Sequence, residues 1–338
     1  MSQDELARAH GGAPLSGVLR ASPEDFRVTE KLGFGADGDG EHVLVTVRKR
    51  GLTTQQAAGK LARHAGVKPL AVGYAGMKDR HAVTEQAFTV QLAGREEPDW
   101  QGLAGDDIEV LASQRHRRKL KRGALKGNAF VIVLRQVTGD HVAAERVLAA
   151  IRDHGVPNYF GEQRFGRRGD NVEQARAMFA GRRVQRQQRG ILLSAARSQL
   201  FNAVLDRRVA AGTWARALPG EIFCLAGSRA WFGPEPLDEA LAERLAGGDI
   251  HPSGPLWGKG ETPAGDEAAL LENAVAAEHP DQVSGLAEAG LEHDRRALRL
   301  LPQPLDWHWP DRTTLELRFE LPAGAYATTV IRELATTL

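Results

Sequence analysis

The chain has 338 residues, of which 42% are hydrophobic and 26% charged, enough for roughly two packed domains and too apolar for global disorder. A single cysteine, Cys224, excludes an internal disulfide and a multi-thiolate metal site, and no apolar run approaches the length of a membrane span. The net charge of +1 hides a segregation: residues 101–200 carry 19 Lys/Arg against 9 Asp/Glu, and residues 235–295 carry 14 Asp/Glu against 3 Lys/Arg, so one surface can attract a polyanion that another repels.

Met1 to Ala9 mixes Asp4, Glu5 and Arg8 without an apolar core, which is not a secretory leader; with the lone cysteine it suits a reducing cytosol. Phe26, Val28 and Leu32 form one face of an early strand, followed by a glycine–aspartate loop over Gly33 to Gly40 and a β-branched strand from His42 to Val47. Thr53 or Thr54 can cap a helix with Ala57, Ala58, Leu61, Ala62 and Ala65 on its apolar face, closed by Gly66. Strands are predicted at Pro69 to Ala75, Gln86 to Leu92, Ile108 to Leu111 and Ala129 to Arg135, the last apolar enough to be buried on both faces. Ala144, Val147, Leu148 and Ile151 keep helical spacing up to Gly155.

Beyond Pro157 the rhythm changes. Residues 171–212 read as mostly helical, 237–295 as helical in pieces, and Pro302 and Pro304 mark a boundary. Leu315, Leu317, Phe319 and Leu321 then alternate with Glu316, Arg318 and Glu320 as a half-buried strand, and Thr328 to Leu338 reads as a short terminal helix. Strands at both ends and helices between them predict an α+β protein: a sheet domain assembled from both ends, with an α-rich domain inserted.

Nucleotide-hydrolysis, dinucleotide and metal-hydrolase signatures do not form. Gly161 to Gly166 lacks the Lys-Ser/Thr of a phosphate loop, Asp37 and Asp39 lack the distal ligands of a calcium loop, and there is no His-Glu-x-x-His or Gly-x-Ser-x-Gly. The loop Gly76-Met77-Lys78-Asp79-Arg80-His81 is different, because an aspartate between two cations is held ionised and suits a nucleophile or base. The same pattern also fits a surface turn with local ion pairs. Arg115, Arg117, Arg118, Lys119, Lys121, Arg122 and Lys126 then run into Gly127-Asn128-Ala129-Phe130, a layout that fits contact with a phosphate backbone or a solvated loop beside a strand.

The run Gly73-Tyr-Ala-Gly-Met-Lys-Asp-Arg-His-Ala-Val-Thr-Glu-Gln-Ala-Phe88 resembles the catalytic motif of the TruD family of tRNA pseudouridine synthases. Five further segments resemble the same family in the same order: Glu24 to Glu30, Gly40 to Val43, Gly127 to Phe130, Val156 to Gly166 and Leu321 to Thr328. Two departures are small: Met77 stands where the family often has Leu, and Tyr326 where it often has Phe.

The resemblance implies a cofactor-independent, metal-free isomerase that converts uridine 13 of tRNA to pseudouridine. Asp79 matches the catalytic aspartate, with attack on C6, attack on C1′ and proton abstraction from C2′ all left open, as is the cation that pairs with it. Phe26, Asn128 and Tyr326 match residues that contact the target nucleotide, a role consistent with holding a base flipped out of a folded RNA. The implied architecture is a pseudouridine-synthase-like catalytic domain with an antiparallel or mixed sheet from residues 1–157 and 304–338, and an inserted TruD domain over 158–303. A cytoplasmic monomer with tRNA as partner and no membrane contact is expected. A non-catalytic RNA-binding or RNA-folding protein and an RNA nucleosidase are the competing readings.

Overall fold

The computed structural model describes residues 6–166 and 168–337. Residues 1–5, on which much of the leader reading rests, lie outside them, as does Leu338 at the end of the expected terminal helix. The chain forms two compact units. One comprises Pro14–His141, Pro302–Ala325 and the segment from Ala335; the other comprises the segment up to Ala13, Val142–Leu301 and Tyr326–Leu334.

The first unit is built on a ten-stranded mixed sheet. Its strands, numbered along the chain, are β1 (Leu15–Leu19), β2 (Phe26–Lys31), β3 (His42–Arg50), β4 (Val72–Tyr74), β5 (Val83–Gln91), β6 (Ile108–His116), β7 (Gly127–Gly139), β14 (Leu305–Asp311), β15 (Thr314–Pro322) and β16 (Ala335–Thr337). The order is β14-β15-β7-β2-β5-β3-β6, with β1 beside β7 and β16, and β4 beside β5. Most pairs are antiparallel; β2–β5 and β1–β16 are parallel. The alternation in β15 resolves as expected: Leu315, Leu317, Phe319 and Leu321 are buried and Arg318 points to solvent. Phe319 stacks on Phe130 of β7, 5.4 Å between ring centres.

Helix α1 (Thr54–His64) covers the other half of the sheet. Thr53 is its N-cap, accepting from Gln56 N while Gln56 reaches back to Thr53 N. Ala57, Ala58, Leu61 and Ala62 pack against Val43, Val45 and Val47, all three of which are fully buried. Two expectations are corrected here. Pro69–Ala71 is a 3-10 turn rather than the start of a strand, since proline withholds the N–H a strand partner would need, and β4 begins only at Val72. The terminal helix ends at Leu334, and Ala335–Thr337, with its two β-branched threonines, pairs with Leu15–Gly17 as β16.

The second unit is rich in helices: α2 (His141–His154, within this unit from Val142), α3 (Asn171–Phe179), α4 (Arg186–Ala210), α5 (Glu239–Ala246), α6 (Asp266–Glu278), α7 (Pro280–Glu288) and α8 (Ala327–Leu334). It also holds a four-stranded sheet ordered β10-β9-β11-β12, from β9 (Phe223–Leu225), β10 (Trp231–Phe232), β11 (Ile250–Leu256) and β12 (Asp294–Ala297). β11 interrupts the stretch expected to be helical in pieces. Pro252, Gly254 and Pro255 disfavour a helix there, and a Cβ on Gly254 would stand 3.0 Å from the Phe201 ring of α4.

The units divide the chain differently from the expected seams at 157/158 and 303/304. Val156–Pro157, as β8, pairs with β13 (Arg299–Leu300), and Gly155 approaches Leu300 so closely that a Cβ would lie 2.4 Å from its carbonyl oxygen, so 142–157 joins the helix-rich unit. Leu6 and Tyr326 pack into the cluster of Tyr159, Phe160, Phe201 and Leu298, which draws in the segments up to Ala13 and 326–334. Among the described residues no helix is long and apolar enough to cross a membrane.

Candidate active site

Asp79 sits on the loop between β4 and β5, and that loop is fixed from below. Gly73, near its start, runs so close to other chain segments that a Cβ would lie 2.7 Å from Leu120 O, Lys119 Cγ and Thr89 Oγ1, so no larger residue fits. Gln86, fully buried in β5, donates to Gly76 O at 2.8 Å. Its amide oxygen accepts from Thr54 Oγ1 at 3.0 Å, and Thr54 Oγ1 accepts from Lys78 N at 2.9 Å. Arg80 Nε donates to Gly51 O at 3.1 Å. Lys49 Nζ, fully buried beneath the loop, donates to Leu52 O at 2.7 Å and to the main-chain oxygen of Asp79 at 3.2 Å. Burial pushes the Lys49 ammonium down to about 8, against the pull of Asp79 and helped by the like charge of Lys78.

The cations beside Asp79 in sequence are not its partners. Lys78 turns inward to Glu30 at 2.5 Å, both side chains nearly inaccessible, and burial raises the Glu30 carboxyl above its ordinary range despite that lysine. Asp79 instead accepts from Arg20 Nη2 at 2.8 Å, with its side chain 43% exposed. Arg20 follows β1 with φ +62, a left-handed conformation that strains a non-glycine residue and aims its side chain away from the strand line. Its guanidinium lies 4.1 Å above the Phe26 ring. Arg20 carries no local signal in the sequence: it lies 59 residues from Asp79 and outside every segment of the family resemblance.

Phe26 is only 3% exposed, edge-on to Phe130 beneath and covered by Arg20 above. It is set by the turn before it, where Asp25 accepts from Ser22 N and binds Arg135 at 2.8 Å. Phe26 and Glu30 share a face of β2, and Asn128 on β7 stands directly opposite Glu30. The Asn128 Oδ1 is buried and without a hydrogen-bond partner, in a sheet where such atoms are normally satisfied. Gly127 lets β7 approach β15 there, since a Cβ would lie 2.5 Å from Leu321 O. Asp79, Phe26 and Asn128 therefore belong to one unit.

Tyr326 belongs to the helix-rich unit, at the head of α8. Its hydroxyl accepts from Arg164 Nη2 at 2.9 Å, Arg164 Nη1 donates to Ser194 Oγ at 2.8 Å, and the ring packs on the aromatic cluster of that unit. Arg296 stacks at 4.1 Å on Phe160 of the same cluster, and burial lowers its guanidinium to about 10.

The basic tract divides. Arg115 lies 3.6 Å from Glu97, Arg117 forks onto Asp39 at 2.6 and 2.9 Å, and Lys119 binds the Leu70 carbonyl. Arg118, Lys121 and Arg122 are exposed and have no carboxylate partner among the described residues. Among the described residues no three His, Cys, Asp or Glu side chains converge as metal ligands.

The family profile for tRNA pseudouridine synthase D (TruD) matches residues 7–181 and 171–334. A tRNA pseudouridine synthase D from Xanthomonas euvesicatoria pv. vesicatoria is 52% identical, covering 97% of this chain and 94% of its own length. One from Methylococcus capsulatus is 50% identical over 98% of this chain and 94% of its own. A crystal structure from Methanosarcina mazei that carries the TruD name shares the fold at a TM-score of 0.76, with 22% identity, over 96% of this chain and 95% of that one. This chain belongs to the tRNA pseudouridine synthase D (TruD) family.

Proposed function

We propose that this protein is a tRNA pseudouridine synthase that isomerises uridine 13, with Asp79 as its catalytic carboxylate. The observation that carries the reading is the state of Asp79. In a loop whose other charged side chains are bound to the protein, it keeps a solvent-accessible carboxylate, oriented by Arg20 alone among the described side chains. Arg20, seated on Phe26, is fixed in place beside that carboxylate. Phe26 thus acts through Arg20, as the floor of the site. The Asn128 Oδ1, unpartnered among the described residues, offers an acceptor to a uracil N–H. Tyr326, held by Arg164, supplies a ring for the flipped base.

The reaction breaks the C1′–N1 bond, turns the uracil and joins C1′ to C5; the C5 proton leaves and N1 gains one. Reactant and product are isomers, so the step consumes no oxidant, reductant or phosphoryl donor. The sheet unit is the catalytic domain, the stretch of the helix-rich unit from 158 to 301 is the insertion, and the protein works as a cytosolic monomer on tRNA.

Incubation of the purified protein with an unmodified tRNA transcript tests this. Pseudouridine at position 13 is expected. Free uracil identifies a nucleosidase instead, and an unchanged nucleotide pool with tight binding identifies an RNA-folding protein.

A further inference from the structure

The loop that leaves β2 carries an aromatic ring that nothing in the reaction uses. Phe34 is 45% exposed, the widest exposure of any aromatic side chain among the described residues of the sheet unit. Its ring is stacked nearly parallel on His116, 5.9 Å between centres and 13° between planes, and His116 is itself buried. One face therefore rests on the protein and the other is open.

The loop is held firmly under that ring. Gly38 N donates to Arg115 O at 2.9 Å, and Arg117 N donates to Asp37 Oδ2 at 2.9 Å, the same oxygen that lies 2.9 Å from His116 Nδ1. Arg117 forks onto Asp39. Gly40, at φ +110, passes so close that a Cβ would stand 2.6 Å from Arg117 Cα. Both acids of the loop are thereby bound to the tract. The cations at its two margins, Arg118 after Arg117 and Lys126 against Gly33, have no carboxylate partner among the described residues. An exposed, preorganised ring flanked by uncompensated cations is the combination that stacks an unpaired base while the cations take its phosphates.

The distance to the chemistry fits. Phe34 lies four residues past Glu30, the partner of the Lys78 that adjoins Asp79, so at most about 14 Å of extended chain separates it from that ion pair. We propose that Phe34, backed by His116, is a stacking platform for an unpaired base of the substrate RNA that flanks the reacting nucleotide. This rests on the functional reading above.

The test measures turnover of an unmodified tRNA transcript by the parent, Phe34→Ala, Phe34→Leu and Phe34→Trp, with dissociation constants taken on an Asp79→Asn background. Loss of one stacked base weakens binding roughly fivefold or more. Phe34→Ala and Phe34→Leu are therefore expected to raise KM and the dissociation constant by that factor, with kcat and melting temperature unchanged. Phe34→Trp should bind like the parent, and its added emission, after subtraction of the native tryptophans, should be quenched by tRNA. The slope of log affinity against log salt should stay the same, since no phosphate contact is removed. Equal affinity in the parent and Phe34→Ala, or an unquenched Phe34→Trp, overturns the platform while leaving the functional reading intact. A parent that binds no tRNA overturns both.

Discussion

In the loop between β4 and β5, Lys78 is bound to Glu30, Arg80 to a main-chain carbonyl, and Asp79 to Arg20. In the tract between β6 and β7, Arg118, Lys121 and Arg122 face solvent without a carboxylate partner among the described residues. Both segments read in sequence as dense charge, yet one uses its charges to fix a geometry and the other leaves them open as a field. At the Lys78–Glu30 pair the difference follows from burial, since both side chains are nearly inaccessible. A buried charge must find a partner, and the partner then holds the backbone; an exposed cation is solvated and remains available to a polyanion.

The largest expected effect breaks the first arrangement. Lys78→Ala strands Glu30, whose side chain is 1% exposed, and loss of one partner of a buried pair costs about 3–5 kcal/mol. Melting of the sheet unit should fall by roughly 6–20 °C by calorimetry. Lys78→Met with Glu30→Leu should recover most of that loss. An unchanged melting temperature for Lys78→Ala would show that the pair does not hold the loop.

A smaller effect sharpens the same contrast. Lys49, held beneath Asp79, loses its proton near pH 8 in the folded protein, whereas in the unfolded chain it does so near its ordinary value of about 10.4. Below pH 8 it is charged in both states and carries its full burial cost. Between pH 8 and about 10.4 the unfolded state binds more protons, so this group's contribution to stability rises with pH. A titration of the Lys49 side-chain carbon by NMR should show a midpoint near 8; a midpoint in the normal lysine range contradicts the picture of a dry ammonium under the loop.

The smallest effect concerns the open tract. Single Arg118→Ala, Lys121→Ala and Arg122→Ala changes should each lower the slope of log tRNA affinity against log salt by roughly 0.7–0.9 while leaving kcat alone. Arg117→Ala should change the slope less, because Arg117 is already bound to Asp39. Four equal responses would mean that the tract acts as one diffuse field.

Much of the scaffold was legible because its signals are local. Leu315 to Leu321 alternates over one strand, Ala57 to Ala62 keeps helical spacing, and Thr53 caps with Gln56 three residues on. β11 was not legible, since its Pro252, Gly254 and Pro255 deny a helix without announcing a strand, and its partners lie on β9 and β12. The hairpin partner β14 went unnoticed although Trp307 and Trp309 alternate with Asp306 and His308. Within the site, the motif marked Asp79, Phe26 and Asn128, but not who holds them. Arg20 comes from the end of β1, Lys49 from β3 and Glu30 from β2, and such partners are fixed by sheet order rather than by neighbours in sequence.

The role of Asp79 is tested most directly by Asp79→Asn under single-turnover conditions, with enzyme in excess over unmodified tRNA and binding measured on the same preparation. The substitution keeps the shape and an acceptor for Arg20 while removing the carboxylate. No pseudouridine should form over many parent half-lives, with tRNA affinity within about threefold of the parent. Conversion within roughly tenfold of the parent rate would contradict Asp79 as the catalytic carboxylate.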